Sequence, residues 1–92
     1  MPLIINTGHQ FEGCTYQVNP ESRAEIKKKY PAAHGVPSVF LGYDKRASFE
    51  RMHGPLLRQV ASMLTGLTWK QIEEMGGLRL FDPMDDQVRQ VA

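Results

Sequence analysis

The tightest constraint in the chain is a helix start written into Leu67-Thr68-Trp69-Lys70-Gln71-Ile72. Thr68 followed three residues later by Gln71 is a capping box, and Leu67 with Ile72 supplies the flanking hydrophobic staple. The pattern predicts a helix over 69–75 that stops at Gly76-Gly77. Upstream, Leu56, Leu57, Val60, Ala61, Met63 and Leu64 recur at helical spacing and make a wide apolar stripe. A helix over 48–65 follows, opened by Asp44 or Ser48, restarted at Pro55 and closed by Gly66, with the stripe, Met63 and Trp69 assigned to the core. Two packed helices therefore frame the second half of the chain.

The first half reads differently. Residues 3–18 carry β-favouring side chains, among them Ile4, Ile5, Phe11, Tyr16 and Val18, broken at Gly8 and Gly13, so a hairpin of two short strands is expected. Asn19 then caps a helix over 20–30, with Pro20 at its first position, Glu21 in its first turn and Lys27, Lys28 and Lys29 in its last. Residues 38–43 read as a buried strand and 78–81 as a short further one. Asp82-Pro83, with Asp85 and Asp86 in the first turn, predicts a final helix over 83–91. The expected fold is α+β: a small sheet of short strands, namely the N-terminal hairpin plus 38–43 and 78–81, packed against three to four helices (20–30, 48–65, 69–75, 83–91). At 92 residues this is expected to be one domain spanning 1–92.

Charge and cysteine usage narrow the function. Eleven Lys and Arg against ten Asp and Glu give a formal net charge of +1, so no global field draws the chain to nucleic acid or anionic membrane. Cys14 is the single cysteine, which fits a reducing compartment and leads us to expect a cytoplasmic protein. The opening Met1-Pro2-Leu3-Ile4-Ile5-Asn6 is too short and lacks the basic residues of a signal peptide. No metal-ligand spacing links His9, Cys14, His34 and His53, and no metal or cofactor is expected. Thiol chemistry at Cys14 with His9 or His34 as base, or a small hydrolase or nuclease using His34, has the right residue types but no carboxylate or second base placed beside them.

The string from Leu56 to Gly77 resembles the first two helices of a helix-turn-helix domain of the response-regulator type: a helix, a Gly-Leu-Thr turn, a capped Lys-Gln-Ile helix, then glycine. That resemblance implies DNA binding through residues 56–92, with a third helix from Met84 to Ala92 entering the major groove. Lys27, Lys28, Lys29, Lys70, Arg79 and Arg89 are the cations such a function would use. This chain departs from the family pattern at Glu73, in the longer turn through Arg79 to Asp82, and at Asp82, Asp85 and Asp86, whose carboxylates have the wrong sign for phosphate. Nucleic acid is therefore a disfavoured partner.

The favoured expectation is a small non-enzymatic protein that binds and modulates a larger protein, with self-association as a homodimer allowed. A compact regulatory or inhibitor protein of a phage or mobile element fits this description. Methionine and aromatic side chains are enriched at interfaces. Met52, Met75 and Met84 sit at element ends, and together with Phe49 and Phe81 they are the residues expected to meet the partner.

Overall fold

The computed structural model describes residues 2–10, 13–42, 54–82 and 87–91. Period-two burial organises its N-terminal part. In β1 (Leu3–Gln10) Leu3, Ile5 and Thr7 are buried, and in β2 (Gly13–Val18) so are Cys14, Tyr16 and Val18, which places all six on one face. The strands pair antiparallel from Ile5 with Val18 to Gln10 with Gly13, as the expected hairpin requires. Gly8 does not end β1; it sits inside the ladder opposite Thr15.

Asn19 turns the chain from β2 into α1 (Pro20–Lys29) and ties that helix to the sheet. Its side-chain oxygen accepts from the Glu21 N–H at 3.0 Å, while its own N–H donates to the Ile4 carbonyl at 2.9 Å. The buried Ser22 hydroxyl accepts from the Ile4 N–H at 2.9 Å. The first turn of α1 thereby satisfies the end of β1 that β2 no longer reaches.

The chain next contributes β3 (Val39–Phe40), antiparallel to β2, then α2 (Gly54–Thr65). Leu57, Val60, Ala61 and Leu64 are buried at the i, i+3, i+4, i+7 positions of α2. Met63 falls on the opposite side and is 54% exposed, so its assignment to the core is corrected. The Thr65 hydroxyl donates to the Ala61 carbonyl and accepts from the Leu67 N–H. In α3 (Trp69–Glu74) the capping box is formed as predicted: the Gln71 side chain accepts from the Thr68 N–H at 2.9 Å, and Thr68 Oγ1 accepts from the Gln71 N–H at 3.3 Å. Gly76 and Gly77 end it with φ of 110° and 89°, in the left-handed region that glycine tolerates best.

The segment after Gly77 forms β4 (Leu78–Asp82), which pairs parallel with β1 from Leu3 opposite Leu78 to Asn6 opposite Phe81. β5 (Gln87–Val91) then pairs antiparallel with β4, giving a five-stranded mixed sheet in the order β3-β2-β1-β4-β5. The α+β class is as expected, with three helices among the described residues. The final helix over 83–91 is corrected: residues 87–91 are a strand, and 83–86 lie outside the described residues. Spacing misled here, because Val88 and Val91 suit either a helix or a strand. The strand expected over 38–43 is described only as Val39–Phe40, and residues 48–53 of the expected second helix lie outside the described residues.

The buried cluster joins Leu3, Ile5, Tyr16, Val18, Val39, Leu78 and Leu80 of the sheet to Ile26, Leu57, Val60, Ala61, Leu64, Leu67, Ile72 and Met75. On the other face Ile4, Asn6, Thr15, Gln17, Phe40, Arg79 and Phe81 are all partly or largely exposed. The sheet is thus covered on one side among the described residues.

A backbone crossing holds the loop after α1 against the end of α2. The Val36 N–H donates to the Met63 carbonyl at 2.9 Å. A Cβ on Gly35 would collide with the Leu64 carbonyl, and one on Gly66, whose φ is 73°, would collide with the His34 carbonyl. Gly35→Ala is therefore expected to destabilise the protein by about 1–3 kcal/mol in urea unfolding. Gly54→Ala, where a Cβ meets nothing within 4 Å, is expected to be neutral or to stabilise by up to about 1 kcal/mol. Equal midpoints for the two variants would show that the crossing is not tight.

Candidate functional site

Burial distributes the apolar side chains unevenly. Among the described residues the exposed large ones are Phe40 (64%), Met63 (54%) and Val36 (41%). The crossing puts the Val36 backbone beside that of Met63 at the end of α2, whereas Val39 faces the core that α2 completes and so turns Phe40 to the uncovered face of the sheet. The Leu41 N–H donates to the Cys14 carbonyl at 3.0 Å. Antiparallel alternation then directs the N–H and C=O of Phe40 away from β2, toward the outer edge. Among the described residues this margin presents the Phe40 side chain together with strand backbone that pairs with no further strand.

On the outer surface of α2, Arg58, Gln59, Ser62 and Met63 line a shallow hollow. The Arg58 guanidinium lies 4.7 Å from the Trp69 ring centroid, a cation–π distance that orders an otherwise exposed cation. Trp69 is partly buried against the core, and its Nε1 is buried with no hydrogen-bond partner among the described residues.

A separate cavity of about 110 Å³ opens between α1 and the loop that meets α2. Its apolar wall is Val18, Ile26 and Leu64, and its polar side chains include Arg23, Lys27 and His34. Arg23 and Lys27 stand one helical turn apart on α1 and so share a face.

The residues singled out by sequence fall in several places. Met75 is 3% exposed within the core, so its expected place at a partner surface is corrected: it caps the end of α3, where its side chain closes over the sheet. Phe81 is partly buried on the uncovered sheet face, opposite Asn6. Phe49, Met52 and Met84 lie outside the described residues. Lys27, Lys28 and Lys29 are exposed at the end of α1, Lys70 on α3 and Arg79 on β4, while Arg89 belongs to β5 in register with Leu80. These cations are spread over four elements, and Lys45 and Arg46 lie outside the described residues. Because Gln87–Val91 is a strand, the helix-turn-helix arrangement lacks the reading helix that the resemblance implied. Val36, Phe40 and Arg23 were not singled out by sequence; only a strict period-two reading of Val39 and Phe40 would have turned Phe40 outward.

Cys14 is a buried free thiol and does not line the cavity that holds His34, so the fold does not join them in one cleft. His9 stands opposite Cys14 in the strand register. No group of three or more His, Cys, Asp or Glu among the described residues is placed to hold a metal ion. Tyr16 lies on the same face as Cys14, fully buried, and its hydroxyl has no hydrogen-bond partner among the described residues. Burial pushes its phenol well above the usual range, and the neighbouring Cys14 thiol adds to the shift.

No protein-family model, curated protein or solved structure matches this chain.

A raised phenol pKa means that the folded state holds the Tyr16 proton more tightly than the unfolded state. Its contribution is fully present below the ordinary phenol value of about 10 and is lost as pH rises beyond it. Unfolding free energy should therefore fall steeply above about pH 10, and less steeply in Tyr16→Phe. At neutral pH that variant should lie within about 1 kcal/mol of the wild type, because it removes an unpartnered hydroxyl. Ultraviolet titration should show a tyrosine that ionises only as the protein unfolds and that is missing in Tyr16→Phe. Free titration of every tyrosine in the folded state would contradict this.

Proposed function

We propose that this chain is a small non-enzymatic interaction protein that binds and modulates a larger protein through the β3 margin of its sheet. The observation that carries the reading is Phe40, 64% exposed on the uncovered face of β3, the strand at one end of the sheet order. Exposed aromatic side chains are enriched at interfaces. The outward backbone of Phe40 adds a strand-like edge on which an extended segment can pair. On the outer surface of α2, Arg58 held over Trp69 gives a shallow hollow a fixed cation, and arginine with aromatic anchors is typical of interface centres. No described helix is long and apolar enough to cross a membrane. Regulation follows from occupancy: a partner surface covered by this margin is closed to other ligands.

The test is quantitative capture from the native cell extract with three proteins shown by circular dichroism to fold alike: wild type, Phe40→Glu and Gln17→Glu. A partner retained by wild type and by Gln17→Glu should be retained at least about tenfold less by Phe40→Glu, the loss expected for a central aromatic anchor. Identical profiles for wild type and Phe40→Glu would sink the reading. Concentration-dependent self-association in sedimentation, abolished by Phe40→Glu, would assign the same margin to a second copy of the chain.

A further inference from the structure

We infer that the cavity between α1 and the 33–35 loop is an oxyanion site that takes the phosphate group of a small phosphomonoester or free phosphate. Its volume of about 110 Å³ has room for one tetrahedral oxyanion. The ionisable groups in its wall are Arg23, Lys27 and His34, and none of the lining residues is acidic. Arg23 and Lys27 share one face of α1 and His34 belongs to the loop that meets α2, so the cavity draws its donors from two elements. A tetrahedral dianion with several acceptor oxygens fits that arrangement better than a planar carboxylate, which a single guanidinium fork would satisfy.

Val18, Ile26 and Leu64 make the rest of the wall largely apolar, which lowers the local dielectric in which the Arg23 and Lys27 charges act. The remaining polar side chain, Thr65, spends its hydroxyl within α2 and on the Leu67 N–H and does not compete. Two cations one turn apart on α1 repel each other, with Lys28 and Lys29 adding to the positive field. An anion removes that cost. Lys27 and His34 are exposed at the opening, so an ester group would project into solvent.

The competing explanation is that the three groups merely complement the negative end of α2. The Met63, Ser62 and Ala61 carbonyls of that end already accept from Val36, Gly66 and Thr65, but its last residues, Leu64 and Thr65, line the cavity itself, so titration with phosphate decides between the two roles.

Amide resonances of the full chain, followed during titration with inorganic phosphate, with phosphoserine and with chloride at matched ionic strength, decide the matter. Saturable shifts confined to residues 23–27, 33–36 and 65, with a dissociation constant on the order of millimolar, are expected for phosphate and not for chloride. Arg23→Gln with Lys27→Gln should weaken binding at least about tenfold, and Lys28→Gln with Lys29→Gln by less than about threefold. Comparable saturation by phosphoserine supports an ester ligand, and saturation by inorganic phosphate alone supports the free ion. Shifts that never saturate, that spread over all the lysines, or that persist in the Arg23→Gln, Lys27→Gln variant overturn the inference. So does a pair of cations whose removal lowers stability equally with and without phosphate. This site is separate from the β3 margin, so a failure of either proposal leaves the other standing.

Discussion

The parallel pairing of Leu3–Asn6 with Leu78–Phe81 is the contact on which the rest of the architecture depends. A hairpin such as β1 and β2 closes locally, but two parallel strands must be joined by a chain that leaves the sheet and returns from the same end. The chain from Asn19 to Gly77 makes that connection, leaving through α1, touching the far edge of the sheet as β3 and returning through α2 and α3. All three helices pack into the cluster on the Leu3, Ile5, Tyr16 and Leu80 face, and this one-sidedness explains the strict alternation of burial along β1 and β4. It also leaves the strands at the two ends of the order, β3 and β5, as margins.

From that arrangement both candidate surfaces follow. The return path passes over the end of α2, where Val36 bonds to Met63 and the two glycines let the backbones touch. On one side of this crossing the chain runs into β3 and carries Val36 and Phe40 outward. On the other side it stands off α1 just far enough to leave the cavity of Arg23, Lys27 and His34. One local packing event therefore shapes an apolar margin and a cationic hollow of opposite physical character. The rigidity of the first does not depend on what fills the second.

How much of this was legible in the sequence depended on whether the signal was local. Asn19-Pro20 and the Thr68–Gln71 box specify their helix starts through hydrogen bonds spanning three residues or fewer, and both form as read. The hairpin was legible from its β-favouring residues, although Gly8 proved to be an interior residue because the ladder tolerates it opposite Thr15. Gln87–Val91 was not legible. Its local pattern suits a helix, and only the unpaired edge of β4, distant from it in purpose and invisible in the sequence, makes a strand the better partner. The candidate surfaces were legible least. Met63 belongs to an apolar stripe whose outer limit depends on how α2 is rotated, and Met75 sits at an element end that the fold happens to cover. Arg23 gains meaning only when the loop beyond α1 is brought opposite it.

The glycine crossing has a consequence for descent. Positions 35 and 66 are fixed by a collision between backbones, so no choice of neighbouring side chains relieves a substitution at either one. Core positions such as Leu57 or Ile72 can drift among apolar residues of similar volume while the fold persists. Sequences diverging from a common ancestor should consequently lose resemblance in the core and on the surface before they lose these two glycines. A distant cousin of this chain would be identified more surely by that pair, one before β3 and one after α2, than by any stretch of matching residues.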